Sequence, residues 1–305
     1  MIARLLAALL ALALASCATI SVQQSPARTI EWTALVVPGI PDEHVTVWLP
    51  PGYDSNPARR YPVLYMWDGQ NLFDPAKTHY GKAWMVQDVL AGLVASGKAE
   101  PHIVVGIWSP PGLDRYRVYA AQKLRQRVGD VVGTDMDRMA GGPIASDAML
   151  AWTADGLKAR VDREFRTRAS AKDTTIVGAS MGGLMACYAL IERPDVFGRA
   201  GCVSSHFALA DPELAAQHHP EIEKAWSDYL ASRLGRPNGR RVWMDHGTKT
   251  LDAYYGPWQD ALASDLSANG WVEGRDFAAH TYQGAEHDET FWRQRMPEML
   301  EWLWR

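Results

Sequence analysis

The chain has 305 residues, 47% hydrophobic and 22% charged, enough apolar material for one large core and too much for a disordered or repetitive protein. Its formal net charge of −4 excludes a binder of nucleic acid driven by concentrated positive charge.

The first twenty residues carry one basic side chain, Arg4, then an unbroken apolar run from Leu5 to Ala15 and small residues after it. This pattern predicts a secretory signal. The run is shorter than the roughly 20 residues that span a bilayer. Its end, Leu14-Ala15-Ser16-Cys17, resembles the bacterial lipobox. The resemblance implies removal of residues 1–16, a lipid on Cys17, and secretion with a membrane anchor. Ala18 in place of an aspartate favours the outer membrane, facing the periplasm, in a Gram-negative host. Residues 17–28 then read as a polar tether and 29–305 as a single domain.

Alternation of apolar and polar residues from Thr29 to Pro50 predicts antiparallel strands. Tyr61–Trp67 and Ile103–Trp108 are continuous apolar runs, the mark of strands buried on both faces. Asp68-Gly69-Gln70-Asn71 closes the first as a turn. Ala83 to Ser96 has helical spacing and stops at Gly97. From Gln122 to Pro143 the pattern is poor and glycine-rich, which predicts an irregular excursion at a pocket rim. A long amphipathic helix is expected from Ser146 to Phe165, a strand over Thr174–Val177 and a helix over Leu184–Glu192. Short strands follow at Ala200–Ser204, Arg241–Asp245 and Phe277–Tyr282, separated by helices at 213–234 and 258–268, with a closing helix at Met296–Trp304. Strands alternating with helices predict an α/β fold with a mostly parallel central sheet covered on both faces, its ligand site at the carboxyl ends of the strands.

Gly178-Ala179-Ser180-Met181-Gly182 matches G-x-S-x-G, the sharp strand-to-helix turn that lifts a serine hydroxyl clear of the backbone. An apolar strand precedes it and an apolar helix follows, which sets the free N–H groups of the helix N-terminus beside a developing oxyanion. Serine needs a base, and the base needs a third group to orient it. Among the histidines after Ser180, His287 is best placed, in a loop between the last strand and the last helix. His218, His219 and His280 read as structural or exposed. For the acid, Asp252 beyond the Gly247 turn is preferred to Asp245 at the strand end.

These motifs resemble those of the esterases related to esterase D, a family that includes feruloyl esterases, enterochelin esterases and mycolyltransferases. The resemblance runs from about Tyr61 to Trp304, through Leu64–Asp74, Ile103–Ile107, the Gly178–Gly183 elbow, Gly247-Thr248, and Gly284 with His287. It implies an α/β-hydrolase fold and ester hydrolysis through an acyl-enzyme, with the Gln70 backbone amide joining that of Met181 in the oxyanion hole. Acyl transfer to an alcohol and a silent surface-binding lipoprotein are the rival readings. Two departures stand out. Arg117-Val118-Tyr119 occupies the place of an Arg-x-Glu-Tyr-x-Pro stretch without the Glu or the Pro, and Thr250 stands where many members carry the acid.

Of thirteen tryptophans, Trp84, Trp152, Trp292, Trp302 and Trp304 read as core, while Trp67 and Trp108, at adjacent strand ends, are expected to line the substrate pocket with His206. Cys187 and Cys202 read as buried thiols rather than a bridge. No cysteine or histidine cluster has metal-ligand spacing and no glycine pattern suits a nucleotide, so no cofactor is expected. The expected partners are a small-molecule, glycan or siderophore ester and a membrane reached through the lipid, with no nucleic acid. If Cys17 is acylated, the intact mass of protein taken from its own membrane will be that of residues 17–305 plus the lipid. A mature chain starting elsewhere without added acyl mass would contradict the lipobox reading.

Overall fold

The computed structural model describes residues 24–78 and 80–305; Cys17 and the signal residues 1–16 lie outside the described residues. Strand β1 (Arg28–Leu35) pairs antiparallel with β2 (Glu43–Leu49), which runs antiparallel to β4 (Ile103–Ile107). From there β3 (Val63–Trp67), β5 (Thr174–Ala179), β6 (Arg199–Val203), β7 (Arg241–Gly247) and β8 (Phe277–Tyr282) are all parallel. The sheet has eight strands in the order β1-β2-β4-β3-β5-β6-β7-β8.

The continuous apolar runs follow from burial on both faces. On one face Leu64, Met66, Val104 and Val177 pack with Val86, Leu90 and Leu93 of the helix Val86–Ala95 and with Met296, Met299 and Leu300 of the helix Glu289–Trp304. On the other, Tyr65, Trp67, Val105, Ile107 and Ile176 join the core beneath the remaining helices. Parallel strands covered this way deliver their carboxyl ends, and the loops after them, to one edge of the molecule. Among the described residues no helix is long and apolar enough to cross a membrane.

Three expectations change. Residues 122–143, expected as an irregular rim, instead form helices Gln122–Arg125 and Asp130–Ala140, with Leu124, Val132 and Met136 buried. Gly133, which breaks the apolar pattern, leaves room for the Arg125 side chain to cross the helix and pair with Asp137 at 2.8 Å. The long helix from Ser146 is wound as a π-helix at Trp152–Leu157. At the amino end, the stretch assigned to a tether already touches the body: Ser25 O accepts from Gly52 N at 2.8 Å, and Arg28 pairs with Asp54 at 2.9 Å.

Glu43 opens β2 at 2% exposure, and burial pushes its carboxyl up from the ordinary 4.5 to about 8. Folding above the ordinary value therefore takes up a proton, so stability falls as pH rises towards 8 and levels beyond it. Glu43→Gln removes this dependence. Its stability advantage over the native protein should widen by about 1.4 kcal/mol per pH unit between those two values. Urea melts at pH 5 and pH 9 give the difference, and equal advantages at both would mean that the buried carboxyl is ionised.

Candidate active site

Strand β5 runs directly into Ser180, whose φ of 58° and ψ of −122° lie outside the regions open to side-chain-bearing residues, and then into the helix Met181–Glu192. The turn closes so tightly that a Cβ on Gly178 would sit 2.3 Å from Gly182 O, and one on Gly183 would sit 2.3 Å from Ser205 Oγ. Only glycine fits at either place. Ser180 N donates to Val203 O at 3.0 Å, while Ser180 O accepts from Leu184 N at 3.0 Å and His206 N at 3.2 Å. The strained residue is thus pinned between its own helix and the end of β6.

After β3 the chain turns through Asp68, at φ 58°, into a single 3-10 turn, Gly69–Asn71. A Cβ on Gly69 would lie 2.6 Å from the Gly106 carbonyl carbon, so the turn lies flat on β4 only because the residue is glycine. Arg115 grips the Asp68 carboxylate through Nε at 2.7 Å and a terminal nitrogen at 2.8 Å, and the Tyr119 hydroxyl accepts from Asp68 N at 3.3 Å. Gln70 is clamped to Ser109 by both ends of its amide, donating at 2.8 Å and accepting from Ser109 N at 3.1 Å. Within the turn the first internal bond runs from Asn71 N to Asp68 O. The Gln70 amide precedes that bond, as the Met181 amide precedes the first bond of its helix.

Beyond β7, Gly247 leads into the 3-10 turn Thr250–Tyr254. Asp252 is fully buried there, with three donors converging on it: His287 Nδ1 at 2.5 Å, Gly247 N at 2.6 Å and Ser204 Oγ at 2.6 Å. Burial alone would push its carboxyl up, but the bonds from His287, Ser204 and Gly247 hold it below the usual carboxylate range. The histidine loop is laced to the same turn, with Thr250 Oγ1 accepting from His287 N at 2.9 Å and Thr248 Oγ1 from Gly284 N at 2.8 Å. Asp245 is turned the other way. It accepts from Trp243 Nε1 at 2.6 Å and meets Arg295 at 3.0 Å.

Four other histidines that follow Ser180 are engaged elsewhere. His246 bonds Gly247 O and Thr281, His280 stacks on Trp243, His219 stacks on Trp258, and His218 meets Glu221. Cys187 and Cys202 are buried and free. Among the described residues no group of three or more His, Cys, Asp or Glu side chains could hold a metal ion.

Ser180 and His287 border one groove of about 1390 Å³, together with Gln70, Trp84, Trp108, Arg115 and Trp292. Trp108 lies one residue past β4, stacked on His44 at 4.0 Å with its Nε1 donating to Thr46. Trp67 is not a groove residue. Alternation along β3 turns it into the core, 1% exposed and 5.2 Å from the Tyr119 ring. His206 also stands behind the groove rather than in it, 4% exposed, with Nδ1 3.2 Å from the Tyr255 hydroxyl. Burial, and then the neighbouring His287, push it down to about 4. The hydroxyl of Tyr255, unmarked by any motif, is pushed up by burial, with the nearby Ser180 side chain pulling it back down. Arg115, not Arg117, faces the site, while Arg117 bonds Gly39 O and Pro143 O. Trp84 and Trp292, assigned to the core, are buried in it and also form groove wall.

Residues 41–303 match the Esterase family, described as "Putative esterase". The chain is 22% identical to the uncharacterised protein YbbA of Bacillus subtilis (strain 168), over 85% of this chain and 91% of that protein. It is 27% identical, over 52% of its length, to 19% of an endo-1,4-beta-xylanase/feruloyl esterase from Xylanibacter ruminicola. Similar solved structures include a ferulic acid esterase, with TM-score 0.62 and 17% identity over 91% of this chain and 98% of that one. Another is ferric enterobactin esterase from Salmonella typhimurium, with TM-score 0.63 and 19% identity over 92% of this chain and 58% of that one. A third, an IroE-like serine hydrolase from Shewanella oneidensis, has TM-score 0.64 and 16% identity over 90% and 79%. The chain belongs to the Esterase family, as a carboxylic ester hydrolase on the α/β-hydrolase fold.

Proposed function

We propose that this esterase works through an acyl-enzyme on Ser180, with His287 as base and Asp252 as the acid that orients it. The observation that carries this reading is the 2.5 Å bond between Asp252 Oδ1 and His287 Nδ1, made in a loop that shares one groove with Ser180. A proton on Nδ1 directed at Asp252 leaves Nε2 free to accept the Ser180 proton as Oγ attacks the ester carbonyl. The oxyanion then accepts from the Gln70 and Met181 amides, which need no reorganisation because their turns are already fixed. His287 returns the proton to the leaving alcohol, and water repeats the sequence to release the acid.

The substrate class follows from the groove. Its walls include the half-buried Trp108, backed elsewhere by the deeper Trp84 and Trp292, and an exposed part of the Trp108 ring suits a planar aromatic group on the ester; two of the similar structures are named for feruloyl and enterobactin esters. Lipidation of Cys17, motivated by the lipobox-like run, would hold the enzyme on the outer membrane facing the periplasm.

Ser180→Ala should lower turnover by roughly a million-fold and abolish labelling by a fluorophosphonate. Asp252→Asn should lower it by up to about 10⁴ with the fold intact, as circular dichroism can check. A Ser180→Ala protein that still turns over at the native rate would remove the proposed nucleophile. With a common leaving group, phenylpropenoyl esters should exceed aliphatic esters of similar size in kcat/KM by about two- to tenfold, the worth of one aromatic contact. A preference for the aliphatic series would reject the aromatic subsite.

A further inference from the structure

Behind the proposed acid lies a buried charge cluster that hydrolysis as described does not use. Asp245, Asp252 and Arg295 are 1%, 0% and 4% exposed. One nitrogen of Arg295 lies 3.0 Å from Asp245 Oδ1 and 2.5 Å from Ser204 Oγ, but 3.7 Å from Asp252 Oδ2. Ser204 therefore stands between the guanidinium and the acid. Its hydroxyl donates to Asp252 Oδ2 at 2.6 Å and also accepts from Trp292 Nε1 at 3.0 Å. The rest of the guanidinium lies over the Tyr282 ring, 5.1 Å from its centroid.

Among the described residues the partners bonded to the Asp245 carboxyl are donors: Trp243 Nε1–H, Ser204 N–H and Arg295. Donors on its oxygens favour the carboxylate. Burial, with the nearby Asp252 adding to it, nevertheless leaves the Asp245 carboxyl above its ordinary value, and Arg295 is the main opposing pull. The other titratable groups facing the two carboxylates are Tyr255, Tyr282 and Cys202, all pushed up by burial and neutral at ordinary pH. His287 is faced in addition by Glu289, whose carboxyl burial pushes up, and by His206, which burial keeps neutral. Within the cluster, two carboxylates and one guanidinium then leave one net negative charge behind the imidazole.

We propose that Asp245 and Arg295 are positioning residues, a charge-balancing pair that leaves Asp252 as the single uncompensated anion for the His287 imidazolium. When the Ser180 O–H bond breaks and its proton moves to His287 as the Oγ–C bond forms, the buried cluster passes from one net negative charge to none. Arg295 without Asp245 would already neutralise Asp252, and a forming imidazolium would then meet a cluster with no charge to answer it. This rests on the Ser180–His287–Asp252 reading above.

The test is the pH dependence of kcat/KM. Asp245→Asn leaves Arg295 uncompensated, makes protonation of the base harder, and should move the acid limb down by about one pH unit with about a tenfold loss at the plateau. Adding Arg295→Gln to Asp245→Asn removes the excess charge and should return the limb towards its native position. Adding Arg295→Lys instead keeps the charge and should leave the limb displaced. A pair that merely anchors the last helix would lower melting temperature and rate together with the limb unmoved, and that result overturns the proposal. Should the Asp245→Asn protein fail to fold, Arg295→Gln alone decides, since it leaves two negative charges beside the imidazole and should move the limb up, and an unmoved limb in the folded variant overturns the proposal. Fluorophosphonate labelling of Ser180 in each variant separates the two failures. Loss of labelling in a folded protein counts against the triad, whereas a labelled Asp245→Asn protein with an unmoved limb counts only against the charge balance.

Discussion

A fully buried carboxylate is tolerable only where donors replace the water it has lost, and Asp252 is the point at which that requirement gathers the site together. Its donors come from three places far apart in the chain: Gly247 at the end of β7, Ser204 after β6, and His287 after β8. Displacing any of these loops leaves a charged group desolvated and unpaired, which is among the larger penalties a fold can meet. The order of three adjacent parallel strands is thereby tied to the position of one imidazole. Ser180 enters the same arrangement from β5, the next strand over, through Ser180 N to Val203 O.

The second fixed point is Asp68, on the other side of β5. Arg115, Tyr119 and the flat approach of Gly69 to β4 hold the turn that carries Gln70. The groove thus lies between two loop systems built on opposite halves of the sheet, each with a buried aspartate at its root. The arrangement is stiff where the chemistry is proposed and open beyond it, where Trp84, Trp108 and Trp292 form the walls.

Much of this was legible in the sequence because local rules and the fold agree there. Double-sided burial made the strands read as continuous apolar runs. The glycines around Ser180 announced a close approach, and a place in the loop beyond Gly247 set Asp252 apart from the strand-end Asp245, which Arg295 and Trp243 occupy. The misreadings have a common cause, in that the direction of a side chain is a tertiary fact. Trp67 and Trp108 both stand at strand ends, yet Trp67 is the last residue within β3 and obeys its alternation, while Trp108 lies one residue past β4 and is released from it. His206 sits two residues after Ser204, at the right level but one layer too deep. Arg115 and Arg117 share a helix, and only the three-dimensional position of Asp68 distinguishes them. The helix Asp130–Ala140 escaped because Gly133 answers to Arg125, a partner no periodicity reveals.

Ser180 carries its hydroxyl on a backbone conformation that glycine alone adopts without strain. Glycine has no hydroxyl to offer, so at this one position the residue best for stability and any residue able to attack a carbonyl are different. Mutational drift that favours a firmer fold would press position 180 away from serine, and only selection on turnover opposes it. A descendant released from that selection would be expected to lose its chemistry here first, keeping the sheet, the groove and the Asp252 loop as an intact receptor for the ligand it no longer cleaves.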